Sequence, residues 1–201
     1  MIRLTALASV AVLSLAACNA PPEPAPATPE TPAVTEQPAP PPAASSDTLT
    51  TEGLGPIRVG RTIAEVTAAW GAPERALTDE NGCNVFHPAR APQGVLVMTE
   101  EGKVSRVSLT RDATVTTDKG LKLGATAAEV KAAYGAAAQS SPHKYQSAPA
   151  EYIAVWNGGP RTEPYVQDAA ARGVVYEVGS DGKVTAIHGG GPSIQYVESC
   201  S

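Results

Sequence analysis

The sequence predicts an α+β fold: two tandem units, each a helix followed by a three-stranded antiparallel meander, forming a sheet with helices on one face. Three observations predict it. The segment TIAEVTAAWG at 62–71 is nearly repeated as TAAEVKAAYG at 126–135. Each copy carries its own helix start and stop signals. Each is followed by three short strand-like runs, the last two joined by a glycine-containing turn.

Before the first unit come two segments of different character. Residues 1–17 read as a signal peptide: Arg3 supplies a positive start, and the apolar run LTALASVAVLSLAA follows. Such a run has the length of a signal-peptide core and is too short for a permanent membrane span. The run ends in Leu15-Ala16-Ala17-Cys18, which resembles a bacterial lipobox. That resemblance implies cleavage before Cys18 and acyl chains, palmitate among them, on the new terminus. An ordinary secretory signal that happens to hold a cysteine is the alternative. One acyl chain binds a membrane only marginally, and several anchor it stably. Asn19 in place of aspartate leans, by the same resemblance, toward the outer membrane facing the periplasm.

Residues 18–52 read as the lipidated cysteine and a disordered tether rich in proline and alanine. Between Asn19 and Asp47 there is almost no large apolar side chain, so burial cannot offset the entropy of ordering. Proline favours extended polyproline II, a spacer geometry. The acidic excess of the chain, 20 Asp and Glu against 15 Lys and Arg, is concentrated here. Glu23, Glu30, Glu36, Asp47 and Glu52 precede Gly53, against Arg3 alone among the basic residues, so the rest of the chain is close to neutral. With no basic run or arginine cluster, nucleic acid is not an expected partner. The membrane, reached through the lipid, and an unidentified envelope protein are.

The first unit is placed at 53–118 and the second at 119–201. In the first, Thr62 and Glu65 form the T-x-x-E capping box. Ile63, Val66 and Trp70 share a helical face, and Gly71 then Pro73 end the helix. In the second, Thr126, Glu129, Val130, Tyr134 and Gly135 take the same positions. The strand-like runs are 83–87, 94–99 and 103–109, then 151–156, 173–178 and 183–188. Turns at Glu100-Glu101-Gly102-Lys103 and Ser180-Asp181-Gly182-Lys183 read as matching hairpins. A final strand is expected at 193–197. Alternation puts Val174, Tyr176 and Val178 on the core face and Val175 and Glu177 on the other. That other face is expected to be broad and open.

The motifs VGRTIAEVTAAWG with EEGKVSRV, and LGATAAEVKAAYG with SDGKVTAI, resemble the BLIP-like repeat group. That group takes in the β-lactamase inhibitory protein, with two tandem units, and the small outer-membrane assembly lipoprotein BamE (SmpA), with one. The resemblance covers about residues 53–190. It implies recognition of a protein, in envelope assembly or enzyme inhibition, rather than catalysis. One clear helix per unit, where BamE-like units carry two, and the unmatched segment 157–173 depart from the pattern.

No residue pattern names a catalytic site, a cofactor or a metal. Cys83 and Cys200 are the pair left once Cys18 is lipidated, and in an oxidising compartment they read as a disulfide. His87, His143 and His188 lack metal-ligand spacing. QSSPHKYQS at 139–147 reads as a solvated loop, and the GGG at 189–191 lacks the helix or lysine of a phosphate cradle. Scattered acids single out no carboxylate pair. The aromatic residues Tyr165, in the unmatched segment, and Tyr152 and Trp156, on one strand face, are the candidate interface anchors. The reading is a membrane-anchored, non-catalytic interaction module of the cell envelope. The alternatives are a small enzyme or ligand-binding protein acting on cell-wall material, and a purely structural envelope protein. Cys18→Ser is expected to move the protein from the membrane pellet to the soluble fraction on cell fractionation; retention in the pellet would rule out the lipid anchor.

Overall fold

The computed structural model describes residues 48–79 and 82–200. The signal segment, Cys18 and the tether to residue 47 lie outside them. In chain order the strands are β1 (Thr48–Thr50), β2 (Gly53–Leu54), β3 (Ile57–Arg58), β4 (Asn84–Phe86), β5 (Val95–Glu100), β6 (Lys103–Thr110) and β7 (Thr116–Thr117). They continue as β8 (Gln139–Pro142), β9 (Glu151–Trp156), β10 (Gly173–Val178) and β11 (Val184–Gly190). The helices are α1 (Ile63–Trp70) and α2 (Ala127–Tyr134). The fold is mixed α+β, with two sheets and few helices.

Both helices begin where the threonines stand. Thr62 Oγ1 accepts from Glu65 N at 3.3 Å, and Glu65 Oε2 accepts from Thr62 N at 2.8 Å. At α2 the same pair of bonds measures 3.2 and 2.7 Å. These bonds hold the Glu65 and Glu129 carboxyls below their ordinary range, the backbone bond to the capping threonine being the main cause. Gly71 N and Gly135 N close the last turns on Thr67 O and Lys131 O. The lead-ins also correspond: Gly60 N donates to Val104 O at 2.8 Å, and Gly124 N to Val184 O at 2.9 Å.

Seven strands form the main sheet in the order β4-β5-β6-β11-β10-β9-β8. At its centre β6 pairs antiparallel with β11, Leu109 opposite Ile187 and Ser108 opposite His188. A small sheet, β3-β2-β1-β7, packs on the same side as the helices. Its Leu49, Leu54 and Ile57 join Val66, Val130, Val97, Val107, Leu109, Ile153, Tyr176 and Ile187 in one buried cluster. Thr48–Thr50 thus belong to the fold, although their setting after a proline-rich stretch reads as tether. The GGG has a packing role: a Cβ at Gly189 would lie 2.4 Å from Thr50 O, and one at Gly190 2.5 Å from Ser105 O. Only glycine lets these backbones approach so closely.

Three expectations are corrected. Residues 193–197 form no strand; Pro192–Gln195 is a 3-10 turn with proline at its start. The two hairpins differ: Glu100 pairs directly with Lys103, whereas β10 and β11 meet at Val178 and Val184 across a longer connection. The sheet face away from the helices is not open. Val166 and Ala171 of the β9–β10 connection and Ile194 of the C-terminal segment pack on Trp156 and Val175 there. These few apolar side chains are enough to close a face that alternation alone reads as wet.

Arg106 on that face is 2% exposed. It donates to Ser193 O at 3.1 Å and Tyr196 O at 3.0 Å, and also reaches Ser199 Oγ. Burial brings its pKa down from 12.5 to about 10, so it remains charged at neutral pH. The Cys83 and Cys200 sulfurs lie at disulfide distance, 2.03 Å, across a sequence separation of 117. The bridge and Arg106 together hold the C-terminal segment against the sheet. The chain-entropy model gives about 4–5 kcal/mol for a closed loop of this size. A C83S/C200S double variant is expected to lose about that much stability in urea denaturation, and reductant is expected to have no further effect on it.

Candidate functional site

The covered face leaves a cleft over the β8–β9–β10 end of the sheet, of about 490 Å³. Its floor is read directly from strand register. Tyr152 of β9 stands opposite Glu177 of β10, and Ala154 opposite Val175. His188 of β11 stands opposite Val175 on the other side. Period-two alternation therefore points Tyr152, Trp156, Glu177 and His188 to the same side. One wall is the connection Arg161–Val166, the other the C-terminal Ile194–Val197.

Two glutamines fix the walls. Gln139 Nε2 donates to Arg161 O and Gln139 Oε1 accepts from Arg161 N, both at 2.7 Å. Gln195 does the same for Val166, at 2.9 and 2.8 Å. Each amide thus completes a backbone pair that no strand supplies. Between these two anchored points residues 162–165 form a lip, and Tyr165 on it is 46% exposed. Its ring stacks on Tyr196 of the opposite wall, centroids 6.4 Å apart and 5° from parallel. Partial burial pushes both phenols up.

The floor carries a polar chain. Glu177 Oε1 accepts from His143 Nε2 at 3.1 Å, and Oε2 lies 3.9 Å from His188 Nε2. The second distance is an electrostatic contact rather than a formed hydrogen bond. His188 Nδ1 meets Ser108 Oγ at 2.8 Å, and His143 Nδ1 accepts from Tyr145 N at 3.1 Å. His143 also stacks on Tyr152, centroids 4.6 Å apart. Interaction with His188 first, then with His143, holds the Glu177 carboxyl below its ordinary value despite burial. Burial pushes the His188 imidazole down, against the pull of Glu177.

Of the anchors expected from sequence, Tyr165 lies exposed on the lip, Tyr152 lies half-buried on the floor, and Trp156 is only 5% exposed, its ring under the covering segments. The segment 139–147 is a solvated loop only in part: 139–142 form the exposed edge strand β8 and the His143 side chain is 3% exposed, while 144–147 are an exposed bend. Glu177, His143, Gln139 and Gln195 were not distinguished by any local motif. Alternation did place Glu177 on the correct face, and register with Tyr152 was the missing step. His87 lies apart, in a second depression beside β4, with Nδ1 on Val95 O at 2.7 Å.

The chemistry available is limited by access. Ser108 is 3% exposed and is sealed beneath the covering segment, so it cannot meet a substrate as a nucleophile. Each imidazole faces its own oxygen of Glu177. Among the described residues no three such ligands are placed to hold a metal ion, and no helix is long and apolar enough to cross a membrane. Comparison with protein-family models, with curated proteins and with solved structures finds no match.

The pH response follows from the two shifts. His188 takes a proton in the unfolded chain below its ordinary 6.5, whereas the folded protein resists it. Stability is therefore full above that pH and falls as pH drops below it. The lowered Glu177 acts in the same direction further into acid, its contribution being lost as pH falls through its folded value. His188→Gln is expected to flatten the decline in urea midpoint that sets in below pH 6.5. An unchanged profile would mean that His188 is not buried neutral.

Proposed function

We propose that the protein is a lipid-anchored, periplasm-facing recognition module, which uses the cleft above β8–β10 to bind an envelope component. One observation carries this reading: a cleft with aromatic walls, whose lip is held at both ends by glutamine–backbone pairs. Preorganised loops lower the ordering cost of binding, and tyrosine and tryptophan contribute most at interfaces. The Cys18 anchor and the proline-rich tether would carry the cleft away from the membrane.

The two capped helices, with their corresponding lead-in bonds, support a duplicated unit of BLIP-like type. The quoted motifs carry that resemblance, and it favours a protein as the partner, whether in outer-membrane assembly or as an inhibited enzyme. The docking surface differs from the open sheet face that the motifs alone imply: it is the cleft and its lip, 162–165, with the C-terminal wall.

A second reading is a small enzyme acting on cell-wall material. Its support is the carboxylate between two imidazoles at the cleft floor, a group of the kind general acid–base catalysis uses. The buried Ser108 favours binding over acyl transfer. Crosslinking in intact envelopes separates the two. Tyr165→Ala is expected to reduce the captured partner about tenfold, the effect of losing roughly 1.4 kcal/mol at an anchor. Undiminished capture would remove the lip from the interface. Turnover of cell-wall fragments by the purified protein, abolished by Glu177→Gln, would establish the enzyme instead.

A further inference from the structure

We infer that the cleft floor is a seat for a primary alkylammonium group, with the Glu177 carboxylate as its counter-ion and the Tyr152 ring beside it. This rests on the cleft being a recognition site and assigns the chemical class that it takes.

The argument begins with the charge around Glu177. Its side chain is 30% exposed to the cleft, enough for a ligand to reach it. Its ion-pair contacts among the described residues are His143 and His188. His143 Nδ1 accepts the Tyr145 amide, so that ring carries its single proton on Nε2 and is uncharged. His188 is largely covered, its side chain 14% exposed, and its Nδ1 is engaged by Ser108 Oγ. The carboxylate is thus oriented by dipoles and lacks a full positive partner at contact distance. Arg106 is committed to the carbonyls of Ser193 and Tyr196, and Arg161 of the cleft wall donates to Asn157 O at 3.3 Å. Lys144, on the cleft rim, is committed to Glu198 Oε1 at 3.0 Å.

The surroundings suit an ammonium on an aliphatic stem. Tyr152 is the direct cross-strand neighbour of Glu177, and ring faces attract cations. Ala154 of the floor and Val197 of the C-terminal wall, neither of them buried, offer apolar surface for methylenes. A half-buried carboxylate gains more from a cation than an exposed one does, because water screens less there. A phosphate or carboxylate ligand would meet repulsion at the same spot.

The ammonium could arrive on a free amine or on a lysine-like side chain of a peptide. The test uses the full chain carrying Cys18→Ser, titrated calorimetrically with three probes: n-pentylammonium, Ac-Ala-Lys-Ala-amide and its norleucine counterpart. The ring signals of the three histidines are followed by NMR. The lysine peptide is expected to bind saturably and at least tenfold more tightly than the norleucine peptide, with shifts at His143 and His188 and none at His87. Pentylammonium binding as well as the peptide identifies a free-amine site; peptide binding alone identifies a side-chain site. Glu177→Gln is expected to bring the lysine peptide to the norleucine level. Glu177→Asp, which keeps the charge should the Gln variant fail to fold, is expected to retain part of the preference. Equal binding of the two peptides, or no saturable binding by any of the three, overturns the inference. The crosslinking of Tyr165→Ala decides the recognition reading separately.

Discussion

The pairing of β6 with β11 is the constraint on which the rest depends. These strands carry the centre of the seven-stranded sheet and join its two halves. Their register puts Leu109 beside Ile187 toward the helices and Ser108 beside His188 on the far side. A slip of one residue would turn every one of these side chains over. Buried apolar surface therefore specifies the register and the face of His188, and the pairing of β11 with β10 then sets His188 opposite Val175, diagonal to Glu177. The close approach of β1 to Gly189 adds a second lock, since no larger residue fits beneath Thr50 O.

On the far face, a small number of long-range contacts take the place of a regular layer. Arg106 binds backbone carbonyls of the C-terminal segment, and Cys83–Cys200 ties its end to the start of β4. A buried guanidinium is costly unless its donors are used, so segment and arginine depend on each other. The two glutamines extend the same principle to the β9–β10 connection. The covering segments consequently act as walls with defined positions, and the cleft is the space that they leave. The tilted pair Tyr134–Tyr176 ties α2 to the opposite side of β10, their hydroxyls 2.8 Å apart. Burial pushes both phenols up, so they stay neutral and can share that bond.

Local chemistry was legible. The threonine–glutamate pairs at 62–65 and 126–129 gave both helix starts, and the glycines after them gave both stops, because a cap acts within four residues. The six main strands followed from β-branched content and alternation. Cys83 and Cys200 could be matched because setting the lipobox-like Cys18 aside leaves one pair. Reading failed where a segment lacks its own periodicity. QSSP looks like a loop because nothing in it is apolar, yet it forms edge strand β8 on the backbone of β9. SIQYV looks like a strand by composition, yet it packs on the face of the sheet, with the carbonyls of Ser193 and Tyr196 taken by Arg106.

By itself, then, the sequence determined the helices, the main strands and their faces, and the cysteine pair, since each depends on propensity or spacing within a short window. Tertiary structure alone decided the order of strands, the closing of the far face, the burial of Arg106 and His143, and the gathering of His143, Glu177 and His188 at one cleft. Those outcomes depend on meetings between segments tens of residues apart. Such meetings are set by shape and by hydrogen bonds left unsatisfied elsewhere, and a linear pattern of residue types carries neither.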